Sequence, residues 1–180
     1  MENSGVGHLL TGLDTFLYDF LVKYSEIMPR SFTKWLAYYY PNAKIRKTYQ
    51  RKLNVFLGEG TYANIGFIGV NDGTIPIRIG DHVSIAANCV IIARSTANNG
   101  TTINDLPYVR DVLTRDGPVT VEDEVWIGAN VTILPGVTVR HHCVIGAGSV
   151  VTKDTEPYGI YAGVPARRIR DLREADSDDK

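Results

Sequence analysis

The chain has 180 residues, 44% hydrophobic and 22% charged, enough for one domain with a buried core. Its formal net charge of −1 supplies no global basic field to attract nucleic acid or anionic lipid. No apolar run reaches the roughly 18 residues of a membrane span, and MENSGVGHLL lacks the basic-then-apolar order of a secretion signal, so a cytoplasmic protein with no membrane span is expected. Cys89 and Cys143 stand far apart inside apolar runs and read as buried reduced thiols rather than a disulfide.

In chain order, Leu13, Phe16, Leu17, Phe20, Leu21 and Ile27 fall at helical spacing, which predicts an amphipathic helix over residues 12–28 that ends at Pro29. A second helix is expected from Ser31, carrying Trp35, Leu36 and Tyr39 towards Pro41. Residues 1–52 therefore read as a helical cap over an open strand edge, with an aromatic wall at Tyr38–Tyr40 as the alternative role. Over residues 53–164 the pattern changes to a period of six. Leu57, Ala63 and Gly69 form a weak copy. Ile79, Ile85 and Ile91 form a firm one, each preceded two places earlier by Ile77, Val83 or Cys89. A polar stretch, residues 95–118, breaks the register and reads as an extruded loop. The period resumes at Val121, Ile127, Ile133, Val139, Ile145 and Val151, preceded by Val119, Val125, Val131, Val137, Cys143 and Ser149. Residues 165–180 are expected to form a short helix starting at Pro165 and a solvated acidic tail from Glu174.

A period of six fits neither a helix, which repeats at 3.6, nor an exposed strand, which repeats at 2. Short strands closed by tight corners place one large and one small residue inward per side. Stacked three to a coil, they build a mainly β fold, a parallel β-helix with about 4.8 Å between layers. Spacing leaves its handedness open, because parallel crossovers are normally right-handed.

The run WIGANVTILPGVTVRHHCVIGAGSVVTKDTEPYGIYAGVPARRIR, Trp126 to Arg170, resembles the closing signature of the hexapeptide-repeat acetyltransferases. The nearest branch is that of the maltose, galactoside and nodulation-factor O-acetyltransferases. The likeness is close over residues 119–170, looser over 53–95 and only generic before that. It implies a left-handed parallel β-helix, a homotrimer, acetyl-CoA as co-substrate and an active site between subunits. It also implies a loop at 95–118 folded over a neighbour's site; packing of the trimer alone is the other role open to that loop.

Acetyl transfer from a thioester needs a held coenzyme, N–H donors for the developing oxyanion and a base for the acceptor's proton. Arg167, Arg168, Arg170 and Lys153 make a basic cluster suited to the coenzyme's phosphates, or a merely solvated face. The resemblance assigns coenzyme contacts to Thr152, Lys153, Arg167 and Arg170. Gly128-Ala129 and Gly146-Ala147 would let the pantetheine arm lie close, with the Ala129 N–H as oxyanion donor and Trp126 shielding the thioester. Asn64 and Asp72 match the family's acceptor-binding asparagine and aspartate, although a solenoid corner favours such residues anyway. Where these enzymes carry a histidine base, this chain reads IIARSTANN, placing Thr96 at or near that position and leaving the catalytic residue unknown.

His8, His82, His141 and His142 read as solvated or capping residues rather than substitutes for it. A zinc site of the γ-type carbonic anhydrases, which share the scaffold, is discounted, because His82 reads as lying on a separate coil from the adjacent pair. The expected activity is thus acetylation of a sugar or nucleotide-sugar, at a hydroxyl or at an amino group whose free lone pair needs less help from a base such as Asp105 or Asp111. A coenzyme-binding trimer without turnover is the alternative.

Overall fold

The computed structural model describes residues 3–174, with side chains from Leu13 onward; His8 and the acidic tail beyond Glu174 fall outside the described side chains. Three helices open the chain: α1 (Asn3–Lys23), α2 (Arg30–Tyr39) and α3 (Ala43–Lys52), with a 3-10 turn at Ser25–Ile27. The first helix therefore starts earlier than expected and stops at Lys23, well short of Pro29. α3 was absent from the sequence-based expectation because it is so polar. Its signal is nonetheless physical: Ile45, Tyr49 and Leu53 recur every fourth residue, and the Asn42 side chain accepts from the N–H groups of Lys44 and Ile45. Those three apolar residues pack with Leu21, Leu36 and Ala37 into a small core.

Four coils follow. They comprise β1 (Val55–Leu57), β2 (Tyr62–Ala63) and β3 (Ile68–Val70); then β4 (Ile77–Ile79), β5 (Ser84–Ile85) and β6 (Val90–Ile92). A hairpin of β7 (Arg94–Ser95) and β8 (Arg115–Asp116) intervenes. The third coil is β9 (Val119–Val121), β10 (Trp126–Ile127) and β11 (Thr132–Ile133), and the fourth is β12 (Thr138–Val139), β13 (Val144–Ile145) and β14 (Val150–Val151). The chain ends with β15 (Gly159–Ala162) and β16 (Arg167–Asp171). Parallel pairing joins each strand to its counterpart one coil on, as Trp126 joins Val144. Three faces result: β1-β4-β9-β12, β2-β5-β10-β13-β15 and β3-β6-β11-β14. β15 extends the second face into a partial fifth coil.

Every inward position of the last two full coils, from Val119 to Val151, is buried, as are Ile77, Ile79, Val83, Ile85, Cys89 and Ile91. Backbone in the left-handed region turns the corners, at His82, Glu124 and His142 between the first and second faces and at Asn88, Asn130 and Gly148 between the second and third. The first coil is thinner, since Gly69 leaves its Cβ space to Val55 and Ile77.

α3 covers the open end of this coil, packing on β1 and β2. Buried Arg46 fastens it, donating to the carbonyls of Tyr40 at 2.6 Å, Pro41 at 2.7 Å and Ala63 at 2.7 Å. The apolar stripe of α1 does not share in this covering, and Leu13, Phe16, Leu17 and Phe20 stay exposed. Of the proposed aromatic wall, Tyr38 and Tyr40 pack against the cap core and Tyr39 is exposed.

The expected helix at Pro165 is replaced by β16, which pairs antiparallel with β15; helical backbone begins only at Leu172. An unpaired edge of β15 satisfies five residues of backbone more fully than an isolated turn of helix would. Two excursions leave the third face and return to the first, at residues 71–76 and 93–118. The longer one carries a 3-10 turn (Thr102–Asp105) and a π-helical turn (Val109–Leu113), and exposes Ile103, Leu106, Tyr108 and Leu113. No helix among the described residues is long and apolar enough to cross a membrane.

Candidate functional site

The edge between the second and third faces is built by a backbone ladder. Asn64 N–H donates to Ile85 O at 3.1 Å, Ala86 to Ile127 at 3.0 Å, Gly128 to Ile145 at 2.8 Å and Gly146 to Tyr161 at 2.8 Å. Asn64, Ala86, Gly128 and Gly146 thereby occupy successive rungs of one edge. Trp126 stands just before it, 61% exposed on the outer side of the second face, in keeping with its reading as a non-core residue. With Tyr62, Asn64, Ser84 and Ala86 it lines a shallow cleft of about 330 Å³. The fold thus brings together one expected acceptor residue, Asn64, with the expected coenzyme residues Trp126, Gly128, Ala129, Gly146 and Ala147.

The glycines there have a different immediate reason from the one expected. A Cβ on Gly128 would lie 2.6 Å from Ala147 N and 3.0 Å from Ile145 O, and one on Gly146 would lie 3.1 Å from the Ala162 Cβ. Their missing side chains admit the next coil of the protein itself. Ala129 keeps its N–H available: those of Gly128 and Asn130 donate to Ile145 O and Ala87 O, whereas no backbone acceptor among the described residues takes that of Ala129.

At the carboxy-terminal end, Val150 N–H donates to Gly163 O at 3.1 Å and Ala166 N–H to Val150 O at 2.8 Å. These bonds lay residues 163–166 beside β14, whose continuation is half-buried Thr152 and exposed Lys153. Arg167 and Arg170 are exposed on β16. Arg168 is tied down beside them: its guanidinium donates to Asp171 at 2.6 Å, and that of Arg173 does so at 2.7 Å. Hydrogen bonds from Arg173, reinforced by both positive charges, hold the Asp171 carboxyl far below the usual carboxylate range.

Asp72 and Thr96 lie on another edge, where the third face gives way to the first. Strand β3 separates Asp72 from Asn64, so one chain alone does not assemble the three acceptor candidates. Asp72 accepts from Thr74 Oγ1 at 2.5 Å, Thr74 N–H at 2.8 Å and Arg94 at 2.5 Å. The Thr74 bonds, with help from the Arg94 charge, lower its pKa to about 2. The corner role that such a residue commonly plays is therefore present, and the carboxylate remains exposed. Arg94, which the sequence reading passed over, also lies 3.6 Å from Asp116 and closes the base of the long excursion. Its signal was an outward cation directly after the inward Ile91 and Ala93.

The Thr96 hydroxyl donates to the Asn98 side-chain carbonyl. Of the two loop carboxylates considered as weak bases, Asp111 is held by Arg110 at 2.8 Å, which lowers its pKa and its basicity. Asp105 is exposed.

His82 and His142 lie on separate coils, as expected, but in one corner column, two coils apart with Glu124 between them. Layer spacing keeps them roughly 9–10 Å apart. His141 donates its N–H to Glu122 at 2.9 Å, and its ring meets those of His142 and Tyr158. Among the described residues no cluster of three or more His, Cys, Asp or Glu is placed to hold a metal ion. Both cysteines are buried and free, and burial pushes the Cys89 thiol up.

A three-sided parallel β-helix with a six-residue period defines the class of protein, and its two repeat blocks, residues 54–93 and 118–153, match the family described as hexapeptide repeat of succinyl-transferase. A hexapeptide-repeat-containing acetyltransferase from Vibrio cholerae is 30% identical with a TM-score of 0.62, covering 79% of this chain and 90% of that one. The chain belongs to the hexapeptide-repeat acetyltransferases. The galactoside O-acetyltransferase of Escherichia coli (strain K12) is 39% identical over 128 residues, 68% of this chain and 57% of that protein. A galactoside acetyltransferase solved in complex with coenzyme A is 36% identical with a TM-score of 0.57, covering 69% of this chain and 58% of that one. The chain thus spans a little over half the length of these two galactoside relatives.

Proposed function

We propose that the protein transfers an acetyl group from acetyl-CoA to a carbohydrate, as a cytoplasmic homotrimer of left-handed β-helices with the active site between subunits. The observation that carries this reading is the single edge along which Asn64, Gly128 and Gly146 are successive rungs, flanked by Trp126, Ala129 and Ala147 and running towards Arg167 on β16, with Thr152 and Lys153 across β14 at the same end of the solenoid. Coenzyme A laid along it would place its phosphates among the arginines and its thioester near Trp126 and the Ala129 N–H. The acceptor oxygen or nitrogen attacks the thioester carbonyl, the oxyanion meets the Ala129 N–H, and collapse expels the coenzyme thiolate while the acceptor's proton passes to a base. A neighbouring subunit would bring its Asp72, Thr96 and long excursion to this edge, supplying what one chain keeps apart. The exposed Ile103, Leu106, Tyr108 and Leu113 give that excursion an apolar surface to bury there.

The domain division follows: a cap over residues 1–52, the solenoid over 53–164 with its loop at 95–118, and a closing segment from 165. A second reading, a coenzyme-binding trimer without turnover, is favoured by one observation. Thr96 offers a hydroxyl committed to Asn98 where related enzymes carry their base. Mass spectrometry of sugars and nucleotide-amino-sugars incubated with protein and acetyl-CoA separates the two. Acetylated product supports transfer. Tight acetyl-CoA binding with neither class acetylated supports the second reading. Light scattering is expected to give about three times the 19.9 kDa chain mass.

A further inference from the structure

Exposed apolar side chains are spread unevenly over the described residues. Ten of the 21 large ones lie between Leu13 and Tyr39. Leu13, Phe16, Leu17 and Phe20 form one stripe along α1, at the i, i+3, i+4, i+7 spacing of a single helix face. Phe32, Trp35 and Tyr39 form another on α2, with the Phe32 and Trp35 rings stacked at 5.7 Å. A helix exposing such a face is matched to an apolar phase or to a partner that covers it.

Charge narrows the choice. Between Ile27 and Gly58 the sequence holds seven Lys and Arg and no Asp or Glu. Arg46 is buried among carbonyls and Lys52 pairs with Glu26, but Arg30, Lys34, Lys44 and Arg51 are exposed. Asp14, Asp19 and Glu26 are the only acids from Leu13 to Gly58. The net charge of −1 for the whole chain therefore conceals a cationic cap balanced by acids elsewhere.

We infer that this cap docks on an anionic lipid bilayer. An amphipathic helix face of Leu and Phe enters the headgroup boundary, Trp and Tyr rings rest at headgroup level, and flanking Lys and Arg reach the phosphates. A polyanionic glycan would use the cations and rings but leave Leu13 and Leu17 in water. The position in the fold agrees. α3 packs on β1 and β2 at one end of the solenoid, whereas Arg167 and Arg170 lie on β16 beyond the last full coil. Docking by the cap keeps the proposed coenzyme end in water. In the proposed trimer, rotation about one axis sets all three caps on the same side, so three weak contacts act together; only this gain in avidity rests on the trimeric reading.

The test is co-sedimentation of the full chain with vesicles of equimolar phosphatidylglycerol and phosphatidylcholine, against vesicles of phosphatidylcholine alone. Binding to the anionic vesicles, weakened by salt, is expected. Arg30→Gln with Lys34→Gln should weaken it about thirtyfold, and Phe32→Ser with Trp35→Ser should also weaken it, with circular dichroism and light-scattering mass unchanged. No binding to anionic vesicles, or equal binding to both kinds, overturns the inference. A lower oligomeric mass in Phe32→Ser/Trp35→Ser also overturns it, because the face would then be a subunit contact. Sugar acetylation measured on the same preparation reports separately on the proposed activity.

Discussion

Replacing Gly128 by alanine tests whether the edge proposed as the coenzyme lane is set by contact between coils. The added methyl would sit 2.6 Å from Ala147 N, 2.9 Å from Ala147 Cα and 3.0 Å from Ile145 O. All three are backbone atoms, so no rotamer change relieves the clash, and coils three and four must separate by several tenths of an ångström. That strains the 2.8 Å bond from Gly128 N–H to Ile145 O. Overpacking of this kind costs about 1–3 kcal/mol, and with backbone on every side the upper end is expected. Gly148 is the control. It has a φ of +71° and nothing within 4 Å of its would-be Cβ, so alanine there meets conformational strain alone, about 1–2 kcal/mol. With a urea slope of about 2 kcal/mol/M, the midpoints should fall by about 1.5 M for Gly128→Ala and about 0.5–1 M for Gly148→Ala. Circular dichroism at fixed protein concentration reads both. Equal midpoints for Gly128→Ala and the unaltered protein would falsify the claim that the small residue serves coil stacking.

Other expectations follow from the same contacts. Arg46→Ala leaves the buried carbonyl of Ala63 and the partly buried carbonyls of Tyr40 and Pro41 without their donor and should cost about 2–4 kcal/mol in denaturant unfolding, whereas a surface change such as Lys44→Ala should stay within about 0.5 kcal/mol. Arg167→Ala with Arg170→Ala should weaken acetyl-CoA binding by calorimetry about tenfold or more per arginine without altering circular dichroism; unchanged affinity would make this a solvated face. Thr96→His should raise acetylation of a sugar hydroxyl by up to about 10²-fold and affect an amino acceptor less, read by product mass spectrometry. Asp72, held at about 2, should remain ionised through mild acid. Because its folded pKa lies below the unfolded value of about 3.9, its stabilising contacts are fully present above that value and are lost as pH falls towards 2. Carbon-detected NMR should show that midpoint, and Thr74→Val should move it upward.

The solenoid was legible because each six-residue unit must send one large and one small side chain inward, so the chemistry of the core is written at fixed intervals. The corner columns were less so. His82 and His142 share a column only once the long excursion is discounted, and their numbering alone hides the stacking. α3 escaped notice because burial there depends on three residues within a strongly cationic segment. The Pro165 segment misled for the opposite reason: a proline followed by ARRIR has the local appearance of a helix start, and the open edge of β15 overrode it. The candidate site was legible along one edge, where Asn64, Gly128 and Gly146 recur in phase with Trp126 and Ala129 beside Gly128. Its proposed acceptor half was not, since β3 puts Asp72, and β6 puts Thr96, on a different edge from Asn64, and spacing within one chain reports nothing of contacts between chains.

Both excursions depart from the third face and rejoin at the first, and the ladder on either side closes as if nothing had been inserted. Ile77 pairs with Val119 across an intervening stretch that includes the whole hairpin, in the same register that Val55 keeps with Ile77. Growth in chain length is therefore tolerated at one seam, where a loop of any size adds only a slowly rising closure entropy. The opposite seam, where Gly128 packs against Ala147 with no space to spare, admits none. A solenoid so constructed separates a fixed rail from an interchangeable attachment. Exchanging residues 95–114 for another loop should leave the stacking untouched while altering whatever that loop reaches.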